Sequence, residues 1–369
     1  MTANVYFADM RTTVSTNISY KIKQLLASTG LQTLVQPSEL VAVKIHFGEK
    51  GNTAFIRPIF IRDIIDNIKS CHAKPFLTDT NTLYRGERCE AVSHTNIALA
   101  HGFNYTTVAA PVIIADGLRG NDAVKVKIDG ALFPEVSLAA AIVQSDALVS
   151  VAHFKGHELP GFGGSIKNLG MGCASREGKL KQHCEISPQV NRDNCIGCGQ
   201  CLNICPAQAI DLKDGHACIS HEKCIGCAEC TPLCPEGAIE INWSESSALF
   251  QQKMVEYACG ILKEKSGKCL FLNFLMQISP SCDCYGHADR AIVPDIGILA
   301  STDPVAIDQA SVDLVNAEAG TEGSALKVNL KKGDDKIKAL YPEVDWEIQL
   351  DYAQKMGCGT RNYDLIAIT

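Results

Sequence analysis

The chain has 369 residues, of which 46% are hydrophobic and 20% are charged, so it can build a large core, and disorder is excluded as its main state. Its 34 Lys and Arg against 41 Asp and Glu give a net charge of -7, which argues against nucleic acid as a partner. The 18 cysteines exceed what a core-rich protein of this length needs as a disulfide scaffold, and they indicate bound metal.

The first residues predict neither export nor membrane anchoring. Residues 1–26 interleave apolar residues with charged ones such as Lys21 and Lys23, unlike a signal peptide. The apolar stretches 138–152 and 269–278 are interrupted by polar residues or too short to cross a bilayer. We therefore expect a cytoplasmic protein with no membrane partner.

Residues 4–157 alternate short β-branched runs with helical periodicity, which is typical of α/β units with a mostly parallel sheet and flanking helices. Strands are predicted at 40–47, 76–79 and 147–153. A helix is predicted over 18–26, with Ser15 or Thr16 as its N-cap and Gly30 just beyond its end, and another follows Pro58.

The α/β pattern breaks at 161–164, stays irregular through the polar stretch 175–188, and gives way to a cysteine-rich stretch that ends near Trp243. It resumes with a helix over 248–262, an apolar strand over 269–278, and a helix that begins at Pro304 and is capped by Thr302 or Asp303. We therefore predict one α/β domain, residues 1–187 and 244–369, interrupted by a small α+β domain of residues 188–243.

The cysteine-rich stretch is an internal duplication, because Cys224 lies 29 residues after Cys195 and starts the same motif. Each copy has the pattern C-I-G-C-x2-C-x3-C-P and continues to an Ala-Ile pair. The cysteines of the two copies are Cys195, Cys198, Cys201 and Cys205, followed by Cys224, Cys227, Cys230 and Cys234.

This spacing is that of bacterial ferredoxins with two clusters, in which the fourth cysteine of each run binds the other cluster. Gly197 and Gly226 would let the backbone approach the clusters. A tetrahedral zinc site is the alternative, but zinc sites use paired cysteines without an interleaved third. Applied here, one [4Fe-4S] cluster takes Cys195, Cys198, Cys201 and Cys234, and the other takes Cys224, Cys227, Cys230 and Cys205.

Clusters held by four thiolates leave no corner open to a substrate, so the predicted function is one-electron transfer with a redox partner protein. Any bond-making must then take place elsewhere in the chain.

A second metal site is suggested by Cys282 and Cys284, because residues two apart in an extended chain point to one side. His287 or Asp289 is close enough in sequence to add a ligand, and Cys173 could complete the site from a distant loop. The alternative is a pair of buried thiols with no metal.

Polar residues at the ends of predicted strands form a further candidate site. Ligands of open α/β sheets bind beyond the carboxyl ends of the strands, and a glycine-rich turn at 161–164 offers N–H groups to an anion. The alternative for each residue alone is that it ends a strand at a solvated edge. The residues are Lys44, His46, Asp79, Thr80, His153, Lys155, His157, Lys167 and Asn168.

Residues 190–243 resemble the two-cluster bacterial ferredoxin module. The remainder resembles the iron-sulfur centre proteins grouped as domain of unknown function 362, on the stretches 164–173 (GSIKNLGMGC), 282–284 (CDC) and 295–308 (DIGILASTDPVAID). The resemblance implies this fold and cluster count, with Lys167, Asn168, Cys282, Cys284 and Asp303 in a common site, and it implies no substrate.

Two other functions stay open. An iron-sulfur oxidoreductase would hold a small anionic substrate or an extra metal in the α/β domain, where Lys155 or Lys167 binds the anion and His153 or His157 moves a proton. A redox sensor or scaffold would use exposed thiols such as Cys173 or Cys184. Six further cysteines are expected to be unpaired: Cys71, Cys89, Cys218, Cys259, Cys269 and Cys358.

Overall fold

The computed structural model describes residues 2–184, 188–241 and 245–368. The expected domain boundaries at 187/188 and 243/244, and the end of the ferredoxin resemblance at Trp243, involve residues outside these ranges. The strands are β1 (Ala3–Asp9), β2 (Leu40–Lys44), β3 (Lys74–Asp79), β4 (Val112–Ile114), β5 (Ala123–Lys127), β6 (Glu135–Ala139), β7 (Ala147–His153), β8 (Lys155–His157), β9 (Gly161–Gly163), β10 (Gln189–Val190), β11 (Ile210–Lys213), β12 (His216–Ile219), β13 (Ile239–Glu240), β14 (Cys269–Leu275), β15 (Gly297–Ser301) and β16 (Tyr363–Ala367).

The helices lie between and around these strands. They are α1 (Ile18–Ser28), α2 (Leu31–Leu34), α3 (Pro58–Ser70), α4 (Ala91–Ala100), α5 (Tyr105–Val108), α6 (Ala140–Gln144), α7 (Ser165–Gly170), α8 (Arg176–His183), α9 (Gln200–Ile204), α10 (Cys230–Leu233), α11 (Ser247–Glu264), α12 (Pro304–Ala317), α13 (Lys336–Leu340) and α14 (Glu347–Lys355). Among the residues that the structure describes, no helix is both long and apolar enough to span a bilayer.

An eight-stranded sheet has the order β16-β1-β15-β14-β7-β2-β3-β4. β15 is antiparallel to both of its neighbours, and every other adjacent pair is parallel. The predicted α/β fold with a mostly parallel sheet and flanking helices is confirmed. The carboxyl ends of β14, β7, β2 and β3, which are neighbours, therefore lie at one edge.

Both faces of the sheet are buried, which explains why its central strands are mostly apolar. Phe271 of β14 belongs to one apolar cluster and the adjacent Leu272 to a second. The strand expected at 147–153 has those bounds, whereas the one expected at 40–47 already ends at Lys44.

The helix ends follow the sequence in most places. α1 is capped by Asn17 and not by Ser15 or Thr16, because the Asn17 side chain accepts from the Tyr20 N–H. Gly30, with φ +78°, follows α1 as predicted. Asp303 is the N-cap of α12, which begins at Pro304 as predicted.

The polar stretch after Ser175 was expected to be irregular, and this is wrong for its first half. Residues Arg176–His183 form α8, whose N-cap Ser175 accepts from the Gly178 N–H. The helix lacks an apolar stripe, since Arg176, Lys179 and Gln182 are themselves buried, and the apolar periodicity that predicts helices was therefore missing.

Two cysteines expected to be unpaired form a disulfide. Cys259 of α11 is joined to Cys358, 99 residues later, beyond α14. No sequence spacing predicts this pair, because the two residues meet only after the C-terminal helices pack on α11.

The cysteine-rich segment folds into short elements and packs on the sheet domain. β10 pairs with β13 and β11 pairs with β12, both antiparallel. Leu83 and Leu180 form a small apolar cluster with Cys184, Ala228 and Ile241. This cluster places the second cysteine run against the loop that follows β3.

Candidate functional site

A cavity of about 510 Å³ opens at the carboxyl ends of β2, β3 and β7. Every polar residue that the sequence predicted at these strand ends lines it. They are Lys44, His46, Asp79, Thr80, His153, Lys155, His157, Lys167 and Asn168.

A buried ion cluster forms one wall of the cavity. Lys44 Nζ lies 2.9 Å from Asp79 Oδ1 and donates to Asn168 Oδ1 at 2.9 Å. Arg88 Nη1 lies 3.4 Å from Asp79 Oδ2. Burial alone would raise the pKa of Asp79, but the charges of Lys44 and its other neighbours hold that pKa far below its usual range. Asp79 is therefore a fixed negative charge that holds two cations in place.

Asp283 organises a second wall. His153 Nδ1 lies 2.9 Å and Lys155 Nζ 3.1 Å from Asp283 Oδ2. The Nε2 atom of His153 lies 2.9 Å from the Met276 carbonyl oxygen. Both ring nitrogens of His153 therefore lie within hydrogen-bond distance of oxygen atoms, which holds the ring in place.

The N–H groups that follow the glycine-rich stretch do meet an acidic side chain, but that side chain belongs to the chain itself, and residues 161–163, predicted as a turn, form β9. Asp308 of α12 accepts from the N–H groups of Ser165 and Ile166 at 2.7 and 2.9 Å. It also accepts from Asn273 Nδ2 at 2.7 Å. Burial raises the pKa of Asp308 to about 6. These contacts fix the N-terminus of α7, which carries Lys167 into the cavity.

Three potential metal ligands meet beside the cavity. The ligand atoms of His157, Cys282 and Cys284 all lie within 4.8 Å of one another. Cys282 and His157 are buried and Cys284 is half-buried. Lys167 Nζ lies 3.6 Å from Cys282 Sγ. The predicted pair of cysteines is therefore accompanied by a histidine, although not by a neighbour in sequence.

Other residues that the sequence suggested for the site of Cys282 and Cys284 lie elsewhere. The ring of His287 is exposed and lies 5.7 Å from that of Tyr285, and Asp289 is also exposed. The Asp303 carboxylate caps α12 and accepts from the Thr360 N–H, so it does not share the cavity with Lys167.

Cys173 and Cys184, expected as exposed sensor thiols, are both buried. Burial raises the pKa of Cys173 to about 12, and its Sγ lies 3.7 Å from the Asn168 carbonyl oxygen. The expectation that these two thiols are exposed is contradicted, because both are buried and a sensor thiol must be accessible as thiolate to react.

Several important residues were given no role from the sequence. Tyr84 and Arg88 line the cavity from the loop after β3, and Lys179 from α8. Burial lowers the pKa of Lys179 to about 8. Asp283 lies between the two cysteines of the Cys-Asp-Cys motif. In an extended chain, successive side chains point to opposite sides, so this position was the sequence signal that Asp283 faces away from both cysteines.

The two cysteine runs line two separate small cavities. In each cavity, three cysteines come from one run and the fourth comes from the other. The first is lined by Cys195, Cys198, Cys201 and Cys234, and the second by Cys224, Cys227, Cys230 and Cys205.

Backbone N–H groups point at the cysteine sulfurs. The N–H groups of Ala217, Ala209 and Ala238 donate to the Sγ atoms of Cys195, Cys205 and Cys234 at 3.3, 3.3 and 3.2 Å. Gly197 and Gly226 have φ values of +66° and +71°, as expected for the close approach of the backbone in both C-I-G-C turns.

The loop after β3 connects the cysteine segment to the large cavity. Arg85 Nη1 donates to the Pro235 carbonyl at 2.6 Å, while its neighbour Tyr84 donates to the Cys284 carbonyl at 3.1 Å. Pro232 and Cys284 line one surface depression. The second cysteine run and the Cys282/Cys284 loop therefore both contact the same short loop.

Individual known proteins match this chain either over a short stretch or at low sequence identity. The chain is 46% identical over 28 residues to Ferredoxin-2 of Desulfomicrobium norvegicum (strain DSM 1741 / NCIMB 8310), which is 8% of this chain and 48% of that protein. The lactate racemase apoprotein from Thermoanaerobacterium thermosaccharolyticum matches with a TM-score of 0.39 and 13% identity, over 74% of this chain and 51% of that one. A protein from Thermotoga maritima matches with a TM-score of 0.38 and 8% identity, over 92% and 58%.

The chain thus spans about half the length of the relatives that it matches. The family described as Domain of unknown function (DUF362) matches over residues 41–313, a much longer stretch that includes the glycine-rich stretch and the Cys-Asp-Cys motif. The chain therefore belongs to this family.

Proposed function

We propose that this protein transfers electrons through two [4Fe-4S] clusters held in a ferredoxin-like domain, residues 188–243, inserted into the α/β domain of residues 1–187 and 244–369. The observation that carries this proposal is the composition of the two cysteine cavities. Each draws its fourth cysteine from the opposite run, which is the ligand exchange of two-cluster ferredoxins.

The donor set fits iron-sulfur clusters better than zinc. Four thiolates in a C-x2-C-x2-C pattern completed by a distant Cys-Pro suit the corners of a cubane, whereas structural zinc uses pairs of cysteines. The N–H groups aimed at the sulfurs of Cys195, Cys205 and Cys234 would stabilise added negative charge. A cluster in such a site supplies one-electron transfer with little change in geometry.

Electron exchange with a partner protein requires at least one cluster near the surface. Cys198 is exposed, and the isoleucines of the two C-I-G-C turns, Ile196 and Ile225, are 65% and 58% exposed. The first cluster would therefore lie close to solvent at a partly apolar surface, which suits brief docking of a redox partner protein.

The test is quantification of iron and acid-labile sulfide in anaerobically purified protein, with electron paramagnetic resonance of the dithionite-reduced sample. We expect about eight irons and eight sulfides per chain and a spectrum of two interacting clusters. A colourless preparation, or one that contains only zinc, would refute the proposal.

The large cavity supports a second function, an iron-sulfur oxidoreductase acting on a small anionic substrate. Five cationic side chains but only two carboxylates line it: Lys44, Arg88, Lys155, Lys167 and Lys179 against Asp79 and Glu158. Asp79 pairs with Lys44 and Arg88, Glu49 also pairs with Arg88, and Asp283 pairs with Lys155. Lys167 and Lys179 leave a positive potential in a largely enclosed space, where an anion is strongly attracted.

Within this cavity, Lys167 would bind the anion. His157 borders the same space, and its Nδ1 lies 3.1 Å from the Leu159 amide nitrogen and 3.4 Å from Glu158 Oε2.

Calorimetric titration of the cluster-containing protein with oxalate and inorganic phosphate tests this second function. Wild type should bind at least one of the two anions. Lys167→Met should weaken that binding at least about tenfold, because a charged hydrogen bond contributes roughly 1.5 to 3 kcal/mol. The control is Lys181→Met, whose ammonium pairs with Glu177 outside the cavity. Equal affinities for all three proteins, or no binding by wild type, would contradict the assignment.

A further inference from the structure

The Cys-Asp-Cys loop is held so that both thiols face the same side. The Asp283 carboxylate is fully buried and paired with His153 and Lys155. The flanking cysteines therefore point away from that ion cluster, and the Cys284 N–H donates to Cys282 Sγ at 3.5 Å. The loop presents two sulfurs in a fixed geometry before any ligand is bound.

A histidine from a different element completes the arrangement. His157 ends β8, which pairs with β9 in a hairpin with the register Lys155↔Gly163 and His157↔Gly161. The imidazole and the two sulfurs fall within 4.8 Å of one another. Two thiols and one imidazole at this separation are within the reach of one tetrahedral ion.

We propose that His157, Cys282 and Cys284 bind a single zinc ion whose fourth coordination position faces the cationic cavity. The set of two thiolates and one imidazole favours zinc over hard cations such as magnesium or calcium. His157 and Cys284 both line the cavity, so the open side of the site is the side from which an anion would arrive.

The local charges favour an anion as the fourth ligand. Two thiolates cancel the charge of a divalent ion, and Lys167, 3.6 Å from Cys282 Sγ, adds one positive charge beside it. A site with three protein ligands and one exchangeable position is the arrangement of catalytic zinc, which polarises a bound oxygen. This inference deepens the second candidate function by assigning the centre at which the anion would bind.

The experiment uses the intact cluster-containing protein, incubated anaerobically with Zn²⁺ and freed of unbound metal by gel filtration. Wild type should retain about one zinc per chain in addition to its cluster iron. Cys282→Ser and His157→Ala should each lower the retained zinc at least about tenfold. The matched controls, His287→Ala for the exposed histidine and Cys71→Ser for a cysteine outside the site, should retain as much zinc as wild type.

Zinc-edge X-ray absorption of the wild type gives a readout that does not depend on the folding of a variant. We expect two sulfurs at about 2.3 Å and one nitrogen at about 2.0 to 2.1 Å, completed by one light atom. A shell of four sulfurs would place the ion at the cluster cysteines and overturn the proposal. So would wild type without zinc, Cys282 and Cys284 joined as a disulfide, or full zinc retention by Cys282→Ser.

The iron and sulfide counts of the same samples report on the electron-transfer proposal separately. Eight irons without zinc would refute the zinc site alone. Zinc bound with the expected shell but without iron would refute the clusters alone.

Discussion

The exchange of the fourth cysteine between runs makes a prediction that pairs of substitutions can test. In the structure, Cys205 lines the cavity of Cys230, and Cys201 lines the other cavity. Under the proposed ligand assignment, the double variant Cys205→Ala/Cys230→Ala removes two ligands from one cluster and none from its neighbour. Cys201→Ala/Cys205→Ala removes one ligand from each, although its two cysteines are closer in sequence.

The expected magnitudes follow from four irons per cluster. The first double variant should retain about four of about eight irons, as one complete cluster without the magnetic coupling of the pair. The second leaves no cluster with its full set of thiolates, so it should retain clearly less iron than the first.

Iron and sulfide determinations on anaerobic samples, with spin quantification after reduction, measure this difference directly. If each run of four cysteines held its own cluster, the order would reverse, because Cys201 and Cys205 would then share one cluster. A reversed order, or equal iron in both variants, would refute the assignment of ligands. Unaltered circular dichroism of the sheet domain is the control for folding.

Three other substitutions probe the surroundings of the site. Asp308→Ala leaves three buried N–H donors unpaired at about 1 to 3 kcal/mol each. With an unfolding entropy of about 0.8 kcal/mol/K for this length, the thermal midpoint should fall by about 4 °C or more, whereas Glu343→Ala at an exposed turn position should shift it by about 1 °C or less. Asp283→Asn should weaken zinc retention about 10- to 100-fold while cluster iron stays constant, and unchanged zinc would contradict its positioning role. A non-reducing peptide map of alkylated protein should contain Cys259 linked to Cys358, and alkylation of both would refute that disulfide.

The sheet and its functional edge were predictable because they depend on local patterns. Short β-branched runs alternating with helical periodicity indicated a mostly parallel sheet, and parallel strands carry their carboxyl ends to one edge. Lys44, Asp79 and His153 could therefore be expected to converge without any knowledge of strand order. α8 was missed because its buried face is made of polar and charged residues that find partners only in the folded chain.

The glycine-rich stretch before α7 shows what local sequence patterns cannot predict. Glycines before Ser165 correctly indicated free N–H groups that attract negative charge. The group that accepts hydrogen bonds from the Ser165 and Ile166 N–H groups is the Asp308 carboxylate, 143 residues after Ser165 in the chain. A sequence reports that an acceptor is needed, but the identity of the acceptor depends on how α12 packs against α7.

The structure brings His157, and not His287, to Cys282 and Cys284 for a related reason, which follows from Asp283. Proximity in sequence favoured His287, five residues after Cys282. The carbonyls of Tyr285 and His287 are instead tied to Asn52 Nδ2 at 3.2 and 3.1 Å, which holds this part of the loop outside. The ion pairs of Asp283 turn the loop at its other end, so that the thiols face the β8–β9 hairpin. Because alternate residues of an extended chain point to opposite sides, a carboxylate anchored to His153 and Lys155 directs both sulfurs toward the side on which His157 lies.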